Sequence, residues 1–109
     1  MNNYVFIESR DPFESSDARF VVDTATNLKR NGNDVTVFLV QNGVLAARAN
    51  AVGSHLPELA RRGVRLLADD FSLSERGIQA VEFSPGVQVS SIDALVDMLA
   101  RTDTKVIWH

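Results

Sequence analysis

Five short runs of β-forming, largely apolar residues punctuate this chain, at residues 4–7, 34–40, 64–68, 87–89 and 104–108. Each of the first four is followed by a stretch long enough to hold a helix. The second run contains Val-Thr-Val-Phe-Leu-Val, almost unbroken in its hydrophobicity. A strand with one face in water alternates apolar and polar residues, whereas a strand covered on both faces does not. Parallel neighbours need crossover connections of a dozen or more residues, and such crossovers are right-handed. The expected fold class is therefore α/β, a three-layer α/β/α sandwich around a five-stranded, mostly parallel sheet. A single domain over residues 1–109 is of ordinary domain size.

The connecting stretches carry helix signals. Pro12 forbids simple continuation of the first strand. Ser15, Ser16 and Asp17 offer capping oxygens to a helix in which Phe20, Val21, Ala25 and Leu28 recur at helical spacing. Lys29 and Arg30 suit its last turn, and Asn31-Gly32 stops it. Gln41-Asn42-Gly43 reads as a turn, followed by an alanine-rich helix over residues 44–50 that Gly53 breaks. Ser54 is placed to cap a helix over residues 56–62. Residues 72–76 make one or two helical turns before Gly77, and Pro85-Gly86 is a turn signal. Ser91 caps a helix whose Ile92, Leu95, Val96 and Leu99 form an apolar stripe.

Composition narrows the functional classes. With 45% hydrophobic and 23% charged residues, this is the make-up of a soluble globular protein. A net charge of −3 and a pI near 5.2 argue against a nucleic-acid surface, which needs clustered Lys and Arg. The absence of cysteine excludes disulfides, thiolate nucleophiles and Cys-based metal sites. It agrees with a reducing compartment, and a cytoplasmic location is expected. No apolar run approaches the ~20 residues that span a membrane, and the first residues show no signal-peptide pattern.

In open parallel sheets, ligands collect at the carboxyl ends of strands. Asp69 and Asp70 end the third run, Asn42 follows the second, and Glu8 and Asp11 follow the first. Carboxylates gathered there could hold a divalent ion through oxygen ligands. The plainer reading is that Asp70 or Ser72 caps the short helix that follows. Glu75 and Arg76 either orient a ligand or partner or form a surface ion pair worth little. His55 is expected in solvent and His109 at a frayed end. Trp108 falls on an edge strand, where an oligomer contact and core packing are both open. No G-x-G-x-x-G, Walker A loop or G-x-S-x-G elbow is present. No catalytic residue, cofactor or metal centre is thus expected, and the chain leans away from an enzyme.

Several segments together resemble the DsrE/DsrF-like family of small sulfur-relay proteins, over nearly the whole length. The family's opening strand, Gly-Pro-Tyr turn and Arg- and Ala-rich helix resemble residues 4–7, Asp11-Pro12-Phe13 and residues 16–30. Its Val-Thr-Val-Phe-Leu strand and Gly-Asp-Gly-Val turn resemble residues 35–39 and Gln41-Asn42-Gly43-Val44. Its Gly-Val-x-Val-x-x-Cys-x-x-Cys-x-x-x-Arg-Gly segment resembles residues 63–77, and its closing strand, helix and strand resemble residues 87–108. The resemblance implies a sheet ordered fourth, third, second, first, fifth strand, and a homotrimer, homohexamer or related assembly. It also implies a persulfide-bearing cysteine at the end of the third strand. Here Asp69 stands at the first cysteine position and Ser72 at the second, and neither side chain can carry sulfane sulfur at neutral pH. The expected function is a non-catalytic binding or scaffolding subunit in a sulfur-metabolism or related oligomeric assembly, beside a cysteine-bearing homologue. The alternative is a small-ligand or divalent-metal binder using the carboxylate crevice.

Overall fold

The five runs pair as one sheet in the computed structural model, which describes residues 2–11, 18–51 and 54–109. Pro12, Phe13, the cap candidates Ser15, Ser16 and Asp17, and Gly53 lie outside the described residues. The strands are β1 (Asn3–Glu8), β2 (Asp34–Leu39), β3 (Arg65–Asp69), β4 (Val87–Ser90) and β5 (Thr104–Trp108). Their order is β4-β3-β2-β1-β5, and every pairing is parallel.

That order decides where the helices go. The chain steps outward from β1 to β4, then returns across the sheet to β5 on the far side of β1. Right-handed crossovers place the first three connections on one face and the last on the other. The first face carries α1 (Ala18–Arg30), α2 (Leu56–Arg61), α3 (Asp70–Glu75) and the 3₁₀ segments Gln41–Ala47 and Ala80–Glu82. Its core joins Phe6, Val37, Leu39 and Leu66 of the sheet to Val22, Leu59 and Leu73 of the helices. On the second face Val5, Ile7, Phe38 and Leu67 pack beneath Leu95 and Met98, from α4 (Ile92–Leu99) and the residues it carries.

Two elements differ from expectation. The alanine-rich stretch is a 3₁₀ segment that starts at Gln41 and absorbs the expected turn, rather than an α-helix to residue 50. Its entry is held by a close approach of backbones. The Val40 amide donates to the Glu8 carbonyl at 2.9 Å, and a Cβ at Gly43 would collide with that same carbonyl. Its exit is fixed by an antiparallel bridge between Arg48 and Phe83, whose extended backbone ends the helical turn. The second difference concerns α4. Ser91 does cap it, through its Oγ and the Ala94 amide, but of the stripe only Leu95 is buried. Ile92, Val96 and Leu99 remain exposed, as do Val106 and Trp108 on the same face of β5. Trp108 keeps 68% of its surface in solvent, so core packing within this chain is overturned for it.

Candidate functional site

On the α4 face, the carboxyl ends of the strands border a cleft of about 540 Å³. Asp69, Ser72, Glu75, Arg76 and Asn42 all line it. Asp70 instead lines a separate depression beside Leu73 and Gly77, and the half-buried Asp11 lines neither. Glu8 is also apart from Asp69. It follows Phe6 on the opposite face of the sheet, so the gathering of carboxylates that could hold a divalent ion does not form among the described residues. Among the described residues, no group of three His, Asp or Glu side chains is arranged to hold a metal ion.

The geometry around Asp69 is that of a helix cap. β3 runs through Asp69 because its pairing with β4 extends to Asp69 opposite Ser90. The helix therefore starts at Asp70, and Asp69 is its N-cap, in place of the Asp70 or Ser72 that the sequence suggests. Asp69 Oδ2 accepts from the Ser72 amide at 3.0 Å and from Ser72 Oγ at 2.7 Å. Ser72 Oγ in turn accepts from the Gln41 amide at 2.8 Å. Gln41 has φ +50°, a left-handed conformation that disfavours a side chain, and this bond fixes it where the chain leaves β2. Asp69 is 2% exposed, and its Oδ1 is buried without a hydrogen-bond partner among the described residues. Among the described residues, Asp70 Oδ1 accepts only from the next amide, that of Phe71, at 2.7 Å.

Arg76 does not pair with Glu75. Its guanidinium folds back from the end of α3, with Nε and Nη2 donating to Asn42 Oδ1 at 3.1 and 3.0 Å. Nη1 donates to the Ser72 carbonyl at 3.2 Å. Arg76 thus ties the 3₁₀ segment to α3, while Glu75 is exposed and makes no ion pair among the described residues. The remaining walls are Ile7, Val40, Phe71, Ile92, Leu95 and Trp108, none of which the sequence singled out for this site. The signal for them was present: they end strands or begin helices at the carboxyl edge, and strand order alone brings them together.

A second polar pair sits at the point where strand order reverses. His109 Nδ1 lies 2.9 Å from Glu8 Oε2 and 3.0 Å from Oε1, with both side chains largely buried. The His109 amide donates to the Ile7 carbonyl at 2.8 Å, and its carbonyl accepts from the Ser9 amide at 3.0 Å. Its ring stacks on Phe20. The expected frayed end is therefore tied into the sheet. Burial lifts the Glu8 carboxyl above its ordinary range, against the opposing pull of His109 and Arg10. A small cavity of about 50 Å³ beside this pair is lined by Glu8, Arg10 and His55, and His55 is half-buried at the start of α2 rather than in open solvent.

The model of the DsrE/DsrF-like family matches residues 2–108. Among solved structures, the YchN protein of E. coli superimposes with a TM-score of 0.87 at 19% identity, with 100% of each chain covered. A protein of unknown function from Methanobacterium thermoautotrophicum gives 0.83 at 20% identity, again over 100% of each chain. A conserved protein of unknown function from Bacteroides thetaiotaomicron gives 0.73 at 16%, over 97% of this chain and 94% of the other. At such identities the likeness is one of fold. No curated protein matches the chain.

Proposed function

The chain belongs to the DsrE/DsrF-like family, and from that premise we propose that it is a non-catalytic cytoplasmic subunit that binds or scaffolds within a sulfur-metabolism or related oligomeric assembly. It carries no persulfide itself. The observation that supports this reading is the fate of the third strand's end. Persulfide relay needs a thiolate, and the chain has no cysteine. At the matching position Asp69 engages its Oδ2 with Ser72, and Ser72 with Gln41, so that the residues of the site hold α3 and the 3₁₀ segment together.

Assembly is supported by the uncovered second face. Ile92, Val96 and Leu99 of α4 and Val106 and Trp108 of β5 expose apolar surface side by side. Contiguous apolar patches with an aromatic anchor favour protein contacts over solvent. No helix among the described residues is long and apolar enough to cross a membrane. The natural occupants of that face are further copies of this chain and a cysteine-bearing homologue.

Native mass measurement tests the reading. The purified chain is expected as a trimer or hexamer, and a Val96→Glu, Trp108→Glu variant as a folded monomer. Affinity purification from the source cells is expected to bring down a cysteine-bearing relative. A native chain that stays monomeric and recovers no such relative sinks the proposal.

A further inference from the structure

At the opposite, amino-terminal end of the strands, again on the α4 face, lies a cavity of about 320 Å³. Its polarity comes from the sheet itself. Further along this face the side chains are Ile7, Phe38 and Leu67. One step toward the amino ends they become Thr36 and Arg65, which are register partners on β2 and β3. Lys29 reaches the cavity from the last turn of α1. Its path depends on Gly63, whose φ of +85° turns the chain after α2. A Cβ on Gly63 would stand 3.1 Å from Lys29 Cε and 3.9 Å from Nζ, so the missing side chain leaves room for the lysine stem.

These donors have no partners among the described residues. Thr36 is only 9% exposed, yet its hydroxyl makes no hydrogen bond among the described residues. Neither Lys29 nor Arg65 has a carboxylate at ion-pair distance among the described residues. Arg101 adds a third cation, paired at 3.7 Å with Asp103, and Asp34 is the one carboxylate in the lining. Cations therefore outnumber acids here in a chain whose net charge is −3. A concave site with a few converging polar groups is the usual form of a small-ligand pocket.

We propose that this cavity binds a small ligand through an oxyanion, a phosphate or carboxylate group seated between the Lys29 ammonium, the Arg65 guanidinium and the Thr36 hydroxyl. Guanidinium forks and ammonium groups match such oxygens in geometry and charge, and the hydroxyl supplies a third donor. The site lies at the other end of the sheet from Asp69 and is independent of the function proposed above.

Titration calorimetry of the purified chain with inorganic pyrophosphate, and separately with malonate, tests this. Saturable binding of at least one anion is expected, and the preferred one tells phosphate from carboxylate recognition. A Lys29→Met, Arg65→Gln double variant is expected to weaken that binding at least about tenfold, and Asp69→Ala to leave it unchanged. Should the double variant fail to fold, Thr36→Val carries the test, with several-fold weaker binding expected. No saturable binding of either anion, or native affinity in the folded variant, overturns the proposal.

Discussion

Asp69 is buried at the point where β3 gives way to α3. Its carboxylate bridges the end of β3 to the first turn of α3. Removing an N-cap of this kind costs about 1–2 kcal/mol. Asp69→Ala is expected to lose that much stability in urea, and an unchanged midpoint would deny the cap. The sequence suggested Asp70 or Ser72 as the cap and passed over Asp69, which reads there as the last residue of the strand. What places the cap at Asp69 is the last rung of pairing between β3 and β4, a contact with Ser90 that local sequence does not reveal. His109 illustrates the same limit, since only pairing with β1 distinguishes an anchored end from a frayed one. Its partner Glu8 predicts a pH dependence. With the folded carboxyl raised by burial, the folded state binds this proton more tightly than the unfolded one. The contribution of Glu8 is thus fully present below its unfolded value and is lost as pH rises through the folded one. Melting temperature against pH should show that fall in the native chain and a flatter profile in Glu8→Gln; coincident profiles would contradict it.

At the scale of elements, periodicity served well where packing follows the chain's own pattern and poorly where a neighbour dictates the backbone. The apolar stripe of α4 was legible, as was its Ser91 cap. The depth of its burial was not, because one helix of eight residues cannot cover five strands. The alanine-rich stretch reads as α-helix by propensity, yet it is squeezed between the Val40–Glu8 hydrogen bond and the Arg48–Phe83 bridge into a 3₁₀ segment. Gly43 is the residue on which that arrangement depends. Gly43→Ala forces a methyl group into the Glu8 carbonyl, and overpacking of this kind costs about 1–3 kcal/mol. Urea denaturation should register the loss, together with faster amide exchange across Gln41–Ala47. A variant as stable as the native chain would show that β1 and the 3₁₀ segment are free to separate.

Across the whole molecule, near-continuous apolar runs announce parallel strands with both faces covered, and the all-parallel sheet follows. Its reversal of direction at β1 sends α4 alone to one face, which leaves apolar surface there exposed. The same face presents the Asp69 cleft at one end and the cavity of Lys29, Thr36 and Arg65 at the other. The first was legible through the motif around Asp69. The second was not, because its residues are scattered along the chain and only strand register and the gap at Gly63 assemble them. We propose that the DsrE/DsrF-like fold persists here without a residue able to carry sulfane sulfur. Incubating the purified native chain and its Asp69→Cys variant with inorganic polysulfide, then weighing each intact protein, tests this most directly. The native mass should stay unchanged while the variant gains sulfur that a thiol reductant removes; reducible sulfur on the native chain would contradict the claim.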